Sequence, residues 1–159
     1  MQLREVGMHV HEKRKEFGIS QAQLAKLAGL SRTTINQLET GVLEDLGYTK
    51  LNHVMGLLGM SFDASDRVKK SPALTTAARA ASTSYTKLLN AETLKHILQS
   101  GVVPEDFKPH MMTLLDETPV PLVLSAIREA SVETNTPAKI VMKHVAAMAK
   151  SLHAHRAVW

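Results

Sequence analysis

The sequence of 159 residues predicts an all-α protein, and three observations support this fold class. The apolar side chains are mainly Leu, Val, Ala and Met, while aromatic residues make up only 4% of the chain. Such a composition suits packed helices better than sheets. Apolar positions also recur at helical spacing, and glycines, hydroxyl residues and prolines stand where helices would begin and end.

Helix punctuation is clearest in the first 60 residues. Ser20 and Gln23 form an S-x-x-Q capping box, and Ser31 is a second N-cap. Gly18 and Gly41 stand where a left-handed residue can end a helix without steric cost. The predicted helices of this region are 2–17, 21–28, 32–40 and 49–59.

A polar segment over 63–71 is predicted to be a linker between a domain at 1–62 and a second helical domain at 72–159. A short strand at 60–63, pairing across a dimer, is the alternative for the start of this segment. In the second domain, three hydroxyl–proline pairs predict helix starts: Ser71-Pro72, Thr118-Pro119 and Thr136-Pro137. The predicted helices there are 72–89, 91–100, 104–116, 119–131 and 137–155.

Composition limits the possible functions. The net charge of +4 is compatible with a polyanionic partner. The absence of cysteine excludes disulfides, thiolate zinc sites and cysteine nucleophiles. The eight histidines lack a metal-ligand spacing and the chain has no enzyme signature, so we expect no metal, no cofactor and no enzymatic activity. Without a signal peptide or a membrane span, the chain is predicted to be cytoplasmic.

Residues 20–41, SQAQLAKLAGLSRTTINQLETG, carry the most informative pattern. Two short helices joined by a tight glycine turn would bury five residues against the first helix: Leu24, Ala25, Leu30, Ile35 and Leu38. The opposite face of the second of these helices presents a polar stripe: Arg32, Thr33, Asn36, Gln37 and Thr40. Arginine can donate twice to guanine, and Asn or Gln can pair with adenine. The stripe therefore fits the major groove of DNA, although a solvated face on an ordinary helical hairpin is the alternative reading.

Residues 3–60 resemble the Xre/Cro-type, or lambda-repressor-like, helix-turn-helix domains. The matching segments are S-Q-A-Q-L-A, G-L-S-R-T-T-I and L-E-T-G. This resemblance implies a compact bundle of four or five helices that binds double-stranded DNA. Members usually act as dimers on a near-palindromic operator.

The resemblance also implies roles for individual residues. Gln21 should hold a phosphate and support the recognition helix. Three positions fall where the family reads bases: Arg32, Thr33 and Gln37. Two lie nearer the edge of that face: Thr34 and Asn36. Ser31 and the backbone near Thr40 should meet phosphate, and Arg14 and Glu39 match a structural ion pair between the first and third helices.

One departure from the family pattern follows the third helix. The family often has Lys or Arg directly after the closing glycine, whereas Val42 to Asp45 (VLED) stand here. Lys50 could restore a phosphate contact. The following D-L-G-Y-T-K-L stretch resembles a subgroup that includes HipB-type antitoxins and phage regulators.

The sequence thus predicts a DNA-binding transcription regulator, a repressor that acts as a homodimer. The second domain would serve oligomerisation or partner binding, or simply form a self-contained core. An antitoxin that represses its own operon and binds a toxin through the C-terminal helices is one alternative. A protein-interaction adaptor without DNA binding is another.

Overall fold

The computed structural model describes residues 2–61 and 72–159. Within these ranges the regular elements are nine α-helices and one 3-10 helix, with no strand, and the predicted all-α fold is confirmed. The described residues form two compact units, 2–61 and 72–157 with Trp159. The predicted linker at 63–71 lies outside the described residues, as do positions 62 and 63 of the alternative strand.

The first unit contains four helices: α1 (Leu3–Phe17), α2 (Gln21–Ala28), α3 (Arg32–Thr40) and α4 (Tyr48–Leu57). The predicted capping box at the start of α2 is confirmed. The Ser20 hydroxyl accepts from the Gln23 amide at 3.1 Å, and the Gln23 side chain accepts from the Ser20 amide at 2.8 Å. Ser31 caps α3 by accepting from the Thr34 amide at 3.0 Å.

A small residue allows α1 and α3 to pack closely. A Cβ atom at Gly7 would lie 1.9 Å from the Leu38 carbonyl oxygen, so no larger residue fits between the two backbones. The core beneath them contains the fully buried side chains of Val10, Leu24, Ile35 and Leu38. Leu30, predicted to join this core, is only half-buried. Because α3 packs against both α1 and α2, its orientation is set by the apolar core.

The second unit contains five α-helices: α5 (Ala73–Ala81), α6 (Ala91–Ser100), α7 (Lys108–Asp116), α8 (Val120–Thr134) and α9 (Ala138–Ser151). A 3-10 helix, Glu105–Phe107, precedes α7. α5 packs against α6, α7 and α8, and α9 packs against α6 and α8. The α9 side chains that face this core include Val141, Val145 and Met148.

The helix predicted at 72–89 ends much earlier, at Ala81. Hydroxyl side chains explain the end, because they compete for backbone hydrogen bonds. Ser82 Oγ donates to the Ala78 carbonyl at 2.8 Å and accepts from the Leu89 amide at 2.9 Å. The chain therefore turns away after Ala81, and Leu88, predicted to be in the core, is 72% exposed.

Thr118-Pro119 and Thr136-Pro137 mark helix starts, but their hydroxyls do not cap those helices. α8 and α9 begin directly after Pro119 and Pro137, without a side-chain cap. The Thr118 hydroxyl donates to the Thr113 carbonyl instead, at 3.4 Å. Proline alone, with its fixed φ, thus marks these two helix starts.

Candidate nucleic-acid interface

The polar stripe predicted on the third helix lies on the exposed side of α3. Four of its members are exposed and Gln37 is half-buried: Arg32, Thr33, Asn36, Gln37 and Thr40. At 3.6 residues per turn, these positions span a sector of about 140°. Ile35 and Leu38 are fully buried on the other side. We call this exposed surface the α3 stripe.

Two hydroxyl groups at or beside the stripe, those of Thr34 and Thr40, already have partners in α3 or its N-cap. The Thr34 hydroxyl lies 2.8 Å from the Ser31 hydroxyl, and Thr34 is half-buried. The Thr40 hydroxyl donates to the Asn36 carbonyl at 2.9 Å. These hydroxyls retain lone pairs that can accept hydrogen bonds from a partner, while Arg32 provides the charged donors of the stripe.

The predicted partners Arg14 and Glu39 are in contact and form a buried, bidentate ion pair. Arg14 Nε donates to Glu39 Oε1 at 2.6 Å, and Arg14 Nη2 donates to Glu39 Oε2 at 2.8 Å. Arg14 Nη1 also donates to the Ile19 carbonyl at 2.8 Å. The pair joins α1 to the last turn of α3, and it also ties down the chain between α1 and α2.

Glu39 also contacts His11, a residue that the sequence did not single out. His11 Nδ1 lies 2.7 Å from Glu39 Oε2, and His11 is half-buried. The available signal was position, because His11 precedes Arg14 by one helical turn and so shares its face of α1. Sequence reasoning treated His11 only as a candidate metal ligand.

Gln21 connects the start of α2 to α3. Its Nε2 donates to Asn36 Oδ1 at 3.2 Å and to Glu39 Oε2 at 3.1 Å. Gln21 and Asn36 line a cleft of about 320 Å³ together with five other residues: Met8, His11, Glu12, Glu39 and Thr40. Gln21 therefore stands between the buried ion pair and the exposed edge of the α3 stripe.

The surroundings of Glu39 favour its ionised form. Burial alone would raise the pKa of Glu39, but hydrogen bonds from Arg14, His11 and Gln21 outweigh it and lower the pKa to about 2. The hydrogen bond to Glu39 in turn raises the pKa of Arg14 above its ordinary value. Glu39 is thus ionised throughout the neutral range, and the polar contacts that orient α3 stay charged.

The loop after α3 has a neutral apolar residue where the family often has a cation. Val42 is 68% exposed, and the two acids that follow it, Glu44 and Asp45, are exposed as well. Asp45 has a local structural role, because its Oδ1 accepts from the Gly47 amide at 2.9 Å just before α4. Lys50 lies exposed in the first turn of α4.

Over residues 2–61 and 72–159, no group of three or more His, Asp or Glu side chains is placed to hold a metal ion. No helix in this part of the chain combines the length and the apolar character needed to cross a membrane.

Part of the chain matches a known protein family. Residues 10–48, from within α1 to the start of α4, match the family described as Helix-turn-helix (HTH_3). No curated protein and no solved structure matches the chain. The matched segment contains Arg14, Gln21, Glu39 and the whole α3 stripe. Residues 10–48 are therefore a DNA-binding helix-turn-helix of the Xre, or lambda-repressor-like, family, as found in transcription regulators.

Proposed function

We propose that this protein is a sequence-specific repressor that acts as a homodimer on a near-palindromic operator in the cytoplasm. The observation that carries the proposal is the α3 stripe, an exposed row of base-reading side chain types on a helix whose other face is buried. Arg32, Thr33 and Gln37 would contact base edges in the major groove. Thr34 and Asn36 would lie at the edge of that contact.

Phosphate contacts would fix the register of α3 on the duplex. The α3 stripe ends at Thr40 and is flanked in the sequence by Gln21, Ser31 and Lys50. These four residues offer amide, hydroxyl and ammonium groups to phosphate oxygens. Such contacts position a protein without reading sequence. The Gln21–Asn36 hydrogen bond would hold the Gln21 side chain beside the α3 stripe, in reach of the DNA backbone.

The first experiment tests base reading. Binding to the DNA upstream of its own gene is measured by fluorescence anisotropy for the wild type, Arg32→Ala and Gln37→Ala. Each substitution should cost about 1–3 kcal/mol on the preferred sequence and relax the preference for that sequence. Lys26→Ala is the matched control, since it removes one exposed charge from α2 and should leave base preference intact. Unchanged preference in both α3 variants would contradict the proposal.

A second experiment separates phosphate contact from base contact. Gln21→Ala should weaken binding to all duplexes alike, since Gln21 is assigned to phosphate. Gln23→Ala is the control from the same helix, because its side chain is engaged in the capping box. Gln23→Ala should lower thermal stability and leave the affinity of the folded protein unchanged.

The proposed dimer has a direct test. Two half-sites one DNA turn apart require two recognition helices, so sedimentation should show two chains per operator. The second unit is our candidate for the oligomer interface. A single chain bound to a single half-site would exclude the dimer and leave base reading unaffected.

An antitoxin is a second candidate function, supported by the D-L-G-Y-T-K-L stretch and by a separate helical unit available for a partner. It requires a toxin gene beside this one and co-purification of the two products. The adaptor without DNA binding would instead leave every duplex unbound. Salt-sensitive, sequence-selective binding would exclude the adaptor.

A further inference from the structure

α9 carries a row of lysines on its exposed side. Lys139, Lys143 and Lys150 are all exposed. At 3.6 residues per turn and 1.5 Å per residue, they lie within a sector of about 40° and along about 16 Å of helix. The exposed residues between Lys143 and Lys150 are the small Ala146 and Ala147, which leave the row accessible. We call these three lysines the α9 lysine face.

Other lysines of the second unit are neutralised by carboxylates, and those of α9 are not. Each of the other three has a carboxylate oxygen within 2.6 or 2.7 Å of its Nζ: Lys87 with Asp106, Lys95 with Glu92, and Lys108 with Glu105. Among the described residues, no carboxylate forms an ion pair with the α9 lysine face. Residues 138–159 also contain no Asp or Glu. The positive charge of this face is therefore available to a partner.

Two of these lysines, Lys139 and Lys143, do not stabilise α9. Lys139 is the second residue of the helix, where a cation opposes the helix dipole, and the first turn has no acid. Lys139 and Lys143 are also like charges four residues apart, which disfavours a helix. Lys150 alone lies in the last turn, where a cation is favourable. An external anion would remove the repulsion at Lys139 and Lys143.

We propose that the α9 lysine face binds the phosphate backbone of double-stranded DNA, in addition to the contacts of the α3 stripe. A duplex carries one negative charge per about 1.7 Å of its axis, so it can neutralise all three lysines along a straight helix. Lysine binds phosphate as a point charge and reads no base in this way. The face would therefore add affinity and salt dependence, and no sequence preference. It does not require the α3 stripe to be the base reader.

The test compares two triple variants of the full-length protein. One is Lys139→Gln, Lys143→Gln and Lys150→Gln; its control is Lys87→Gln, Lys95→Gln and Lys108→Gln, with the same charge loss at paired lysines. Affinity for a 30-base-pair duplex of arbitrary sequence is measured by anisotropy from about 50 to 200 mM salt, a range in which phosphate contacts are strongly salt-dependent. Poly-glutamate serves as a second probe, and thermal melts check folding.

We expect the α9 variant to have a shallower dependence of log K on log salt, by about 2–3 per bound chain. Over that range, the wild type would lose roughly 15- to 60-fold more affinity than the α9 variant. The control should keep a steeper dependence of log K on log salt than the α9 variant. The variant with arginine at the three α9 positions should restore the wild-type slope, because charge is what matters.

Several outcomes would overturn the proposal. Equal slopes for the α9 variant and its control would do so, as would loss of poly-glutamate binding without loss of DNA binding, which would indicate an acidic protein partner. A wild type that binds no duplex would overturn it as well. Sequence preference that persists while the slopes are equal would refute only the α9 proposal. An α9-dependent slope without sequence preference would refute only the proposed repressor.

Discussion

In the first unit a buried ion pair adds to the apolar packing that orients α3, whereas the helices of the second unit are held mainly by apolar packing. Among the described residues, the buried Arg and Glu side chains are Arg14 and Glu39, and both belong to the first unit. The buried polar residues of the second unit are hydroxyl residues and one histidine: Ser82, His110, Thr113 and Thr118.

This difference explains why the function of the first unit can be inferred from its sequence more readily than that of the second. A buried ion pair demands particular residues at particular places, and here those places orient the α3 stripe. Apolar packing accepts many combinations of Leu, Val, Ala and Met that conserve volume. The first unit therefore carries a recognisable pattern, and the second shows mainly that it is a helical core.

We expect the largest effect from a variant that breaks the Arg14–Glu39 ion pair of the first unit. Arg14→Ala leaves Glu39 buried without its main partner, so the first unit should lose about 3–5 kcal/mol. Peptide-resolved hydrogen exchange should show residues 10–48 opening, while the second unit keeps its protection. Lys13→Ala, which removes an exposed ion pair with Glu16, should cost less than about 1 kcal/mol. Altered base preference with unchanged stability would instead place Arg14 at the DNA.

A second variant tests the close approach of α1 and α3. Gly7→Ala places a methyl group against the Leu38 carbonyl, and backbone atoms have little room to yield. The expected loss lies at the upper end of about 1–3 kcal/mol, measured by denaturant unfolding. Gly56→Ala is the control, because Gly56 is exposed in α4 and a Cβ atom there would meet nothing within 4 Å. That variant should gain up to about 1 kcal/mol from helix propensity.

Acid should weaken the first unit through Glu39. The pKa of Glu39 lies at about 2 in the folded protein, below its ordinary value of 4.5. The ionised form of Glu39 therefore stabilises the fold at every pH above the ordinary pKa of 4.5. This contribution is lost as the pH falls from about 4.5 toward about 2. Denaturant unfolding of the first unit at pH 7, 4.5 and 3 should show the loss. Glu39→Gln should be less stable at pH 7, and its stability should vary less with pH.

Local rules predicted much of the fold and of the candidate site. Ser20, Ser31 and Gly41 act through neighbours in the sequence, and the helices that they delimit appear where expected. The α3 stripe follows from helical periodicity alone. Contacts between distant parts of the chain were harder to anticipate. Helical spacing places His11 on the same face of α1 as Arg14, but its contact with Glu39 depends on how α1 packs against α3. Gly7 lies inside the predicted first helix, and its sequence neighbours do not explain a glycine there, because the reason is the Leu38 carbonyl across the helix pair.

We expect the smallest effect from substitution of Asp116, which makes a long-range polar contact in the second unit. Asp116 is the last residue of α7, and the acid Glu117 follows it. In the structure Asp116 Oδ1 accepts from the amides of His155 at 2.8 Å and Arg156 at 3.0 Å. Burial alone would raise the pKa of Asp116, but these hydrogen bonds lower it below its ordinary value. Asp116 therefore holds the C-terminal segment while it is ionised.

Asp116→Ala should release this segment and cost about 1–2 kcal/mol. The only tryptophan reports the change, because Trp159 Nε1 donates to the Leu115 carbonyl at 2.9 Å. Its fluorescence should shift toward that of an exposed indole, and in the wild type the same shift should develop as acid protonates Asp116. Glu117→Ala, which removes the neighbouring exposed acid, should leave the spectrum unchanged. An unchanged spectrum in Asp116→Ala would mean that the remaining contacts hold the C-terminal segment without Asp116, among them the hydrogen bond from Arg156 Nη1 to the Thr118 carbonyl at 2.7 Å.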